Sequence, residues 1–500
     1  MLLVVTARGI SSLLHPLTLD EGVSWMFTSG TWSELFAMVP ADNHPPLFFV
    51  VLKLWCSVFG DSLFSMRALT FLLSLLVVAG TVWLLSVSLV PPGIGRNRRI
   101  SILTVALLFV GLSSVQSRWS HEVRMYCMGA ALIGVAIPLA VLLCRRQSWT
   151  AVFLYSMCGA AMMYTHIYLW FSVAAFSLCL TGRMFTYSSP AGVNAAEFGR
   201  TKLAAAAVIP FMAWTPYLPV LVRQVSRVQG EFWIPRISLG GVMDGVGGAV
   251  FNPEWVSERL RLPANLLGFI VVAWVVLWAL TRRDLCTWVL ALNITLPLAC
   301  AIGASLVGQN IFHWRYLAFW NVALLGGAAM MFLDLGTASK TALLGLCVFP
   351  SCAIDVASVA DRLSRQCGAK SASESVALDF SRLASEDELM VVGCPETFPR
   401  LAYYMRHRPS GHCVLWTPNG APHYYGTGAY VGREFSGNDS LETIASRRDG
   451  LWLVSYQSQG GTRVVPVPAG WRVAWKEWYI GCDTRGGVLE MVHCVPAQGK

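Results

Sequence analysis

The sequence predicts an α-helical polytopic membrane protein of about eleven transmembrane helices, with outer-surface helices in the first loop and a small C-terminal α/β soluble domain. Three observations predict it. Of 500 residues, 55% are apolar and 13% charged, against roughly 25% charged in an ordinary soluble chain. Apolar runs approaching the roughly 20 residues that cross about 30 Å of hydrocarbon recur along residues 1–356. Residues 1–356 carry 22 Lys/Arg and 14 Asp/Glu, whereas residues 357–500 carry 15 and 14 in far fewer positions. The chain thus divides into a membrane domain, 1–356, and a water-facing domain, 357–500. Of the net charge of +9, +8 (22 minus 14) belongs to the membrane part. Basic residues that hold loops on the inner side account for it, so nucleic acid is not an expected partner.

The spans are read at 1–16, 66–90, 100–116, 125–143, 149–163, 168–182, 203–222, 264–280, 285–307, 316–333 and 341–356. Arg8 interrupts the first, which marks the start as truncated or misassigned. One more run, Pro46–Phe59, has only 14 residues, contains Lys53 and begins on a proline that follows Pro45. Read as a span, it carries Arg96, Arg98, Arg99 and every later basic turn outside. Read as a helix on the outer surface, it leaves those three with Arg145, Arg146, Arg183, Arg200, Lys202, Arg282, Arg283 and Lys340 inside. The second reading is adopted. The outer side then holds residues 18–65, 117–124, 223–263 and 308–315, followed by the C-terminal domain. The numerous Trp near these boundaries, among them Trp119 and Trp314, read mostly as an interfacial belt.

Fourteen Cys say little about redox. Nine lie in the membrane part, where Cys behaves as a small hydrophobe. The five in the tail lack CxxC spacing, which argues against zinc and leaves room for one or two disulfides in an extracytoplasmic domain.

Ionisable groups beside a membrane are expensive and usually mark a site. Here Asp20, Glu21, Asp42, His44, Lys53, Arg118, His121, Glu122, Arg124, His166, His313 and Arg315 all fall in or next to outer segments. Asp20-Glu21 precedes a run that starts a helix, so Asp20 either caps that helix or serves as general base for a hydroxyl acceptor. His44, directly before Pro45-Pro46, is either a solvated loop residue or a group that helps hold a phosphate at a helix start. Arg118-Trp119-Ser120-His121-Glu122-Val123-Arg124-Met125-Tyr126 packs four ionisable groups, Arg118, His121, Glu122 and Arg124, between two spans. A short turn does not need them; Arg118 or Arg124 suits a charged headgroup and Glu122 suits hydroxyls, or Glu122 simply pairs with an Arg. His166 and His313 are packed or interfacial residues, or ligands. Arg315 either snorkels or clamps a phosphate.

In order and spacing these pieces resemble the GT-C superfamily of polytopic glycosyltransferases, specifically the group of protein O-mannosyltransferases and the lipid A aminoarabinose transferase. The resembling residues are Leu19-Asp20-Glu21, His44-Pro45-Pro46-Leu47-Phe48 running into Phe59-Gly60-Asp61-Ser62 and Met66-Arg67, His121 to Tyr126, Tyr164-Thr165-His166-Ile167-Tyr168, Phe232-Trp233-Ile234-Pro235 and Arg315-Tyr316-Leu317. The resemblance implies a polyprenyl-phosphate-linked sugar donor, a protein, lipid or glycan acceptor, and an inverting transfer at the outer face of the membrane. By that likeness Asp20 is the base, with Glu21 and Glu122 as further catalytic carboxylates. His44, Lys53, Arg118, Arg124, Tyr126, His166, His313, Arg315 and Tyr316 then serve donor binding. Asn43 replaces the acidic residue that some relatives carry before the basic one, so no metal is expected; no cofactor is implied either. Such a protein sits among membrane lipids in a bacterial plasma membrane with a periplasmic site, or in the endoplasmic reticulum with a lumenal one.

The residues fit that chemistry. A sugar leaving from phosphate needs its leaving group stabilised, which Arg or His⁺ supplies, while a base removes the acceptor proton as an oxocarbenium-like centre develops. No P-loop or GxGxxG segment stands at a strand-to-helix junction. The competing reading is a transporter or flippase of a lipid-linked sugar, which places its charges near the bilayer midplane and shows two broken halves. A third is a scaffold displaying the tail, which leaves the outer cluster unexplained.

In the tail, 387–393 and 450–456 read as buried strands and 398–406 as a helix, which gives a small α/β domain.

Overall fold

The computed structural model describes residues 16–89, 96–187, 193–228, 234–252, 256, 258–282, 284–366, 371–408, 412–419, 427–430, 432–458, 461–484 and 487–497. The expected first span and Phe232-Trp233 lie outside these residues. By internal contacts the chain forms two compact units, one built on His44–Val359 and the other joining Leu14–Asn43 to Ala360–Lys500.

The first unit is helical throughout. Seven of its helices are long and apolar enough to cross a membrane: Leu63–Ser88, Met125–Arg146, Leu169–Thr186, Glu197–Ser226, Glu258–Arg282, Leu285–Val307 and Thr337–Ala360. A bent pair, Arg96–Gly111 with Ser114–Ser120 at 74°, makes an eighth if it counts as one span. The bend has local causes: a wide turn closed by Leu112 N–H to Leu107 O (3.1 Å), then a fresh start capped by Ser113, whose hydroxyl accepts from Gln116 N (3.4 Å). Two further expected spans are shorter helices, Trp149–Thr165 and Trp320–Asp334. Pro46–Phe59 folds as a 13-residue helix, Leu47–Phe59, that buries Phe48, Phe49 and Leu52.

Not anticipated is a helix inside the long 223–263 segment. Leu239–Phe251, six of whose thirteen residues are Gly or Ala (Gly240, Gly241, Gly245, Gly247, Gly248 and Ala249), starts on Ser238, whose hydroxyl accepts from Gly241 N (3.0 Å). Its glycine content hides it from propensity; packing against Glu258–Arg282 holds it. A relay of amides ties it to the bundle: Gln116 Nε2 donates to Asn321 Oδ1 (3.0 Å), and Asn321 Nδ2 donates to Ala249 O (2.8 Å).

The second unit is a mixed sheet flanked by helices. Its strands are β1 Leu389–Val392, β2 Cys413–Thr417, β3 Glu434–Ser436, β4 Leu451–Ser458, β5 Gly461–Arg463, β6 Trp471–Tyr479 and β7 Val488–Pro496. The order is β3-β2-β1-β4-β7-β6, with β5 pairing only to β4. The first four neighbours run parallel; β7 and β6 are antiparallel. Leu389, Val391, Val414, Trp416, Leu451 and Leu453 form a core with Leu441, Ile444 and Ala445 of the helix Asn438–Ala445. Trp452, pointing to the opposite face by strand alternation, meets Phe380 of the helix Ala372–Leu383 edge-on at 5.8 Å. Helices therefore cover both faces, as a parallel βαβ arrangement requires. The anticipated strands and helix correspond to β1, β4 and Phe398–Tyr404. All thirteen described cysteines are free thiols, so no disulfide joins any pair among the described residues.

Candidate functional site

Asp20 and Glu21 belong to the second unit. Thr18 opens the helix Leu19–Ser29: its hydroxyl accepts from Glu21 N (3.1 Å), and Glu21 Oε2 accepts from Thr18 N (3.0 Å). This reciprocal box occupies the fully buried Glu21 with capping. The cap oxygen is thus Thr18's, and Asp20 stands half-buried in the first helical turn, where a negative charge complements the helix dipole.

Asp42 also belongs to the second unit; the remaining sequence-predicted residues belong to the first, and the fold brings most of them together. Arg118 on Ser114–Ser120 and Glu122 just beyond it form an ion pair with side chains only 7% and 2% exposed. A buried pair is weak support for stability, because desolvation offsets attraction, but breaking one is costly. The Arg118 guanidinium lies 5.0 Å over the Trp119 ring. Trp119, fully buried, packs on Tyr126 (4.2 Å) and stacks on Trp314 (5.6 Å).

The ring cluster continues to His166. Its imidazole is 5.5 Å from His44, 5.9 Å from Tyr126, 5.3 Å from Tyr316 and 4.9 Å from Phe319, centroid to centroid. His313 packs on Trp314 (5.6 Å) and Tyr316 (6.1 Å). Segments of the chain some 270 positions apart, from His44 to Phe319, thereby meet around one buried imidazole.

The local backbone sets that imidazole. His166 is extended between the helices Trp149–Thr165 and Leu169–Thr186, and its Nδ1 accepts from Tyr168 N–H (3.2 Å). Burial, then the nearby His44 and Arg124, hold its pKa well below the usual imidazole range. A neutral ring whose Nδ1 accepts must carry its proton on Nε2. That Nε2 is buried and has no hydrogen-bond partner among the described residues, and neither does Trp119 Nε1. A buried donor without an acceptor costs about 1–3 kcal/mol. Buried Arg124 is close enough for its charge to act on the ring, buried Arg118 reaches the cluster through Trp119, and half-buried Arg315 follows His313 and Trp314 in the chain. His313 Nδ1 accepts from Arg315 N (3.3 Å), which fixes the approach of that segment.

Lys53 lies half-buried on Leu47–Phe59. Among the described residues no group of three or more His, Cys, Asp or Glu side chains is arranged to hold a metal ion. Trp119 and Trp314, read from the sequence as belt residues, are instead buried cluster members at 1% and 8% exposure. Their placement beside ionisable residues in short turns was the available signal. Phe319 had none, since it stands in an apolar run. Gln116 and Asn321 were visible as lone amides within apolar segments, where a polar side chain needs a partner.

Comparison with known proteins gives the fold. No family model matches the chain, and no curated protein matches it in sequence. Among solved structures it is similar to ArnT from Cupriavidus metallidurans in the apo state, with a TM-score of 0.58 and 13% identity over 88% of each chain. It is also similar to the same protein bound to undecaprenyl phosphate, with a TM-score of 0.54 and 13% identity over 98% of this chain and 96% of that one. Archaeal oligosaccharyltransferase AglB from Archaeoglobus fulgidus, in complex with an inhibitory peptide and a dolichol-phosphate, matches at a TM-score of 0.45 and 12% identity over 92% of this chain and 74% of that one. The chain has the ArnT-like fold, a polytopic integral membrane domain with a soluble domain.

Proposed function

We propose that this protein is a GT-C-type glycosyltransferase that moves a sugar from a polyprenyl-phosphate donor to a hydroxyl acceptor, with inversion at the anomeric carbon, at the outer face of the membrane. The observation that carries the reading is the buried cluster around His166, with an Nε2–H that finds no acceptor among the described residues, the Arg124 charge beside it and Arg118 joined to it through Trp119. An oxyanion with several acceptor oxygens satisfies such a donor set, and a lipid phosphate is one that a membrane protein meets. The ArnT-like fold supports the same ligand, since ArnT is known bound to undecaprenyl phosphate.

In this reading His44, His166 and the arginines stabilise charge on the departing phosphate, and preorganised donors do so at no reorganisation cost. Glu122, paired with Arg118, holds that guanidinium in place. Tyr126, Tyr316 and His313 line the donor headgroup, and Lys53 gives an outlying positive charge. Asp20 removes the acceptor proton. Glu21, engaged in the capping box with Thr18, supports the turn that presents Asp20. Direct displacement by the acceptor oxygen breaks the bond from the anomeric carbon to the phosphate oxygen and releases polyprenyl phosphate. The acceptor hydroxyl proton passes to Asp20.

The test is incubation of the purified protein with a panel of radiolabelled polyprenyl-phosphate sugars and native membrane extract. Transfer of label from at least one donor to an acceptor, with release of polyprenyl phosphate, is the expected result. Intact donors throughout the panel would overturn the reading in favour of a lipid-linked sugar transporter.

A further inference from the structure

The sheet of the soluble domain has a feature that the transfer reaction leaves unused. From β1 the chain crosses to β2 on one side, then to β3, and returns from β3 to β4 on the other side of β1. The connections diverge between β1 and β4. In open α/β sheets such a divergence leaves a crevice beyond the carboxyl ends of the strands, where ligands bind. Here the crevice is present, with a volume of about 640 Å³, lined by Gly393, Glu396, Thr417, Tyr456, Ser458 and Arg463 among others. That volume lies in the range of about 300–1,000 Å³ typical of small-ligand sites.

The strand lengths make the opening. β1 stops at Val392 opposite Val454, while β4 runs on to Ser458. Past that stop β5 takes over the edge of β4, pairing Tyr456 with Arg463 and Ser458 with Gly461. Gly393, at the end of β1, lets the β5 strand's continuation come close, since a Cβ there would lie 2.7 Å from Val465 Cγ2. The walls are rigid because the fold already engages them. Trp416 Nε1 donates to Gly437 O (3.1 Å), Thr417 Oγ1 donates to Glu434 Oε1 (2.8 Å), and Tyr456 OH donates to Thr484 O (2.9 Å).

The lining chemistry narrows the ligand. A phosphate or nucleotide would be expected on the amides that start the helix after β1. That turn reads Gly393-Cys394-Pro395-Glu396, where Pro395 removes an amide and Glu396 adds a carboxylate to the crevice lining, both unfavourable to an anion. What the crevice offers instead is the Glu396 carboxylate, whose Oε2 also accepts from Cys394 Sγ (3.0 Å), the exposed Arg463 guanidinium, the hydroxyl oxygens of Thr417, Tyr456 and Ser458 as acceptors, and an aromatic wall at Tyr456. A carboxylate accepts from hydroxyl groups, a guanidinium donates to oxygens, and an aromatic wall suits a C–H surface. A neutral polyhydroxyl ring presents all three complements. We propose that this crevice is a saccharide-binding site. Resting on the transferase reading, its ligand is the glycan portion of the acceptor.

The test uses the full chain in detergent, without donor, against a panel of neutral hexoses, N-acetylhexosamines and their disaccharides, followed by saturation-transfer difference NMR. At least one sugar binds wild-type protein, and Glu396→Gln and Arg463→Ala each weaken it about tenfold or more, the loss of a charge-assisted hydrogen bond. Thr462→Val, at an exposed position of β5, gives a smaller loss and guards against misfolding of the other two. Absence of binding by every sugar, equal binding by folded Glu396→Gln and Arg463→Ala proteins, or displacement of the sugar by a nucleotide would overturn the proposal. Sugar binding without any transfer activity would sink the transferase reading and the acceptor assignment while leaving the saccharide site. Transfer without sugar binding would do the reverse.

Discussion

Replacing His166 by Phe separates what the imidazole does for the fold from what it does for a ligand. The ring sits among Tyr126, Tyr168, Tyr316 and Phe319 at centroid distances of 4.9 to 5.9 Å, and a phenyl ring keeps those contacts. The substitution removes the unsatisfied Nε2–H, a gain of about 1–3 kcal/mol, and orphans the Tyr168 N–H, a loss of similar size. The ligand-free variant should therefore unfold within about 1 kcal/mol of wild type. A bound lipid phosphate, by contrast, loses a hydrogen bond to a charged acceptor, about 1.5–3 kcal/mol, so its affinity falls about 10- to 150-fold. Titration with undecaprenyl phosphate, followed by the fluorescence of the buried Trp119 and Trp314, measures this directly. Unchanged affinity in a folded His166→Phe protein would refute a phosphate-donating role for Nε2.

Further predictions follow from the same structure. Because burial holds His166 neutral in the folded state while the unfolded chain takes up its proton near pH 6.5, the unfolded state binds more protons below that pH. Stability then falls below about pH 6.5 by up to about 1.4 kcal/mol per pH unit, and the loss is shallower in His166→Phe when thermal unfolding is followed from pH 7.5 to 5. In the soluble domain, buried Asp483 accepts from Ala372 N (2.7 Å), Ser373 N (3.1 Å), Ser371 Oγ (2.9 Å) and Ser373 Oγ (2.5 Å), which caps Ala372–Leu383 from more than 100 positions away. Burial alone would raise its pKa, but the hydrogen bond from Ser373, the Arg400 charge and the remaining bonds outweigh it and hold the carboxyl low. Its contribution is present above about pH 4 and lost as pH falls through the lowered value; Asp483→Asn costs about 2–4 kcal/mol at neutral pH, read as faster amide exchange in that helix. Gly22 packs against Phe398–Tyr404, where a Cβ would lie 2.8 Å from Pro399 O. Gly22→Ala should cost about 1–3 kcal/mol and speed proteolysis of the second unit.

Much of this architecture was legible because membrane solvation leaves strong marks. Long apolar runs gave the helices, and the crowd of ionisable residues at their ends gave most of the cluster. What stayed hidden depended on pairing rather than composition. The Gly-rich Leu239–Phe251 helix has poor propensity and is held by its neighbours. Strands β2, β3 and β5 are short and β6 is polar-faced, as in the exposed pattern of Trp471–Tyr479, and alternation alone does not assign strand partners. The packing of Leu14–Asn43 with the C-terminal residues, through Trp25 against Tyr403 (5.5 Å) and Arg433 Nη2 to Ser29 Oγ (3.2 Å), links distant sequence that no local pattern announces. Glu21 was expected beside Asp20 as a catalytic carboxylate; only coordinates reveal its bond to the Thr18 amide.

The most direct measurement compares single-turnover sugar transfer by wild type and Asp20→Asn, with donor saturating and donor affinity determined separately. The account predicts a rate loss of about 100- to 10,000-fold, the usual worth of a general base, with undecaprenyl-phosphate affinity and thermal stability unchanged. Equal turnover by the folded variant would contradict the account and remove Asp20 from the chemistry.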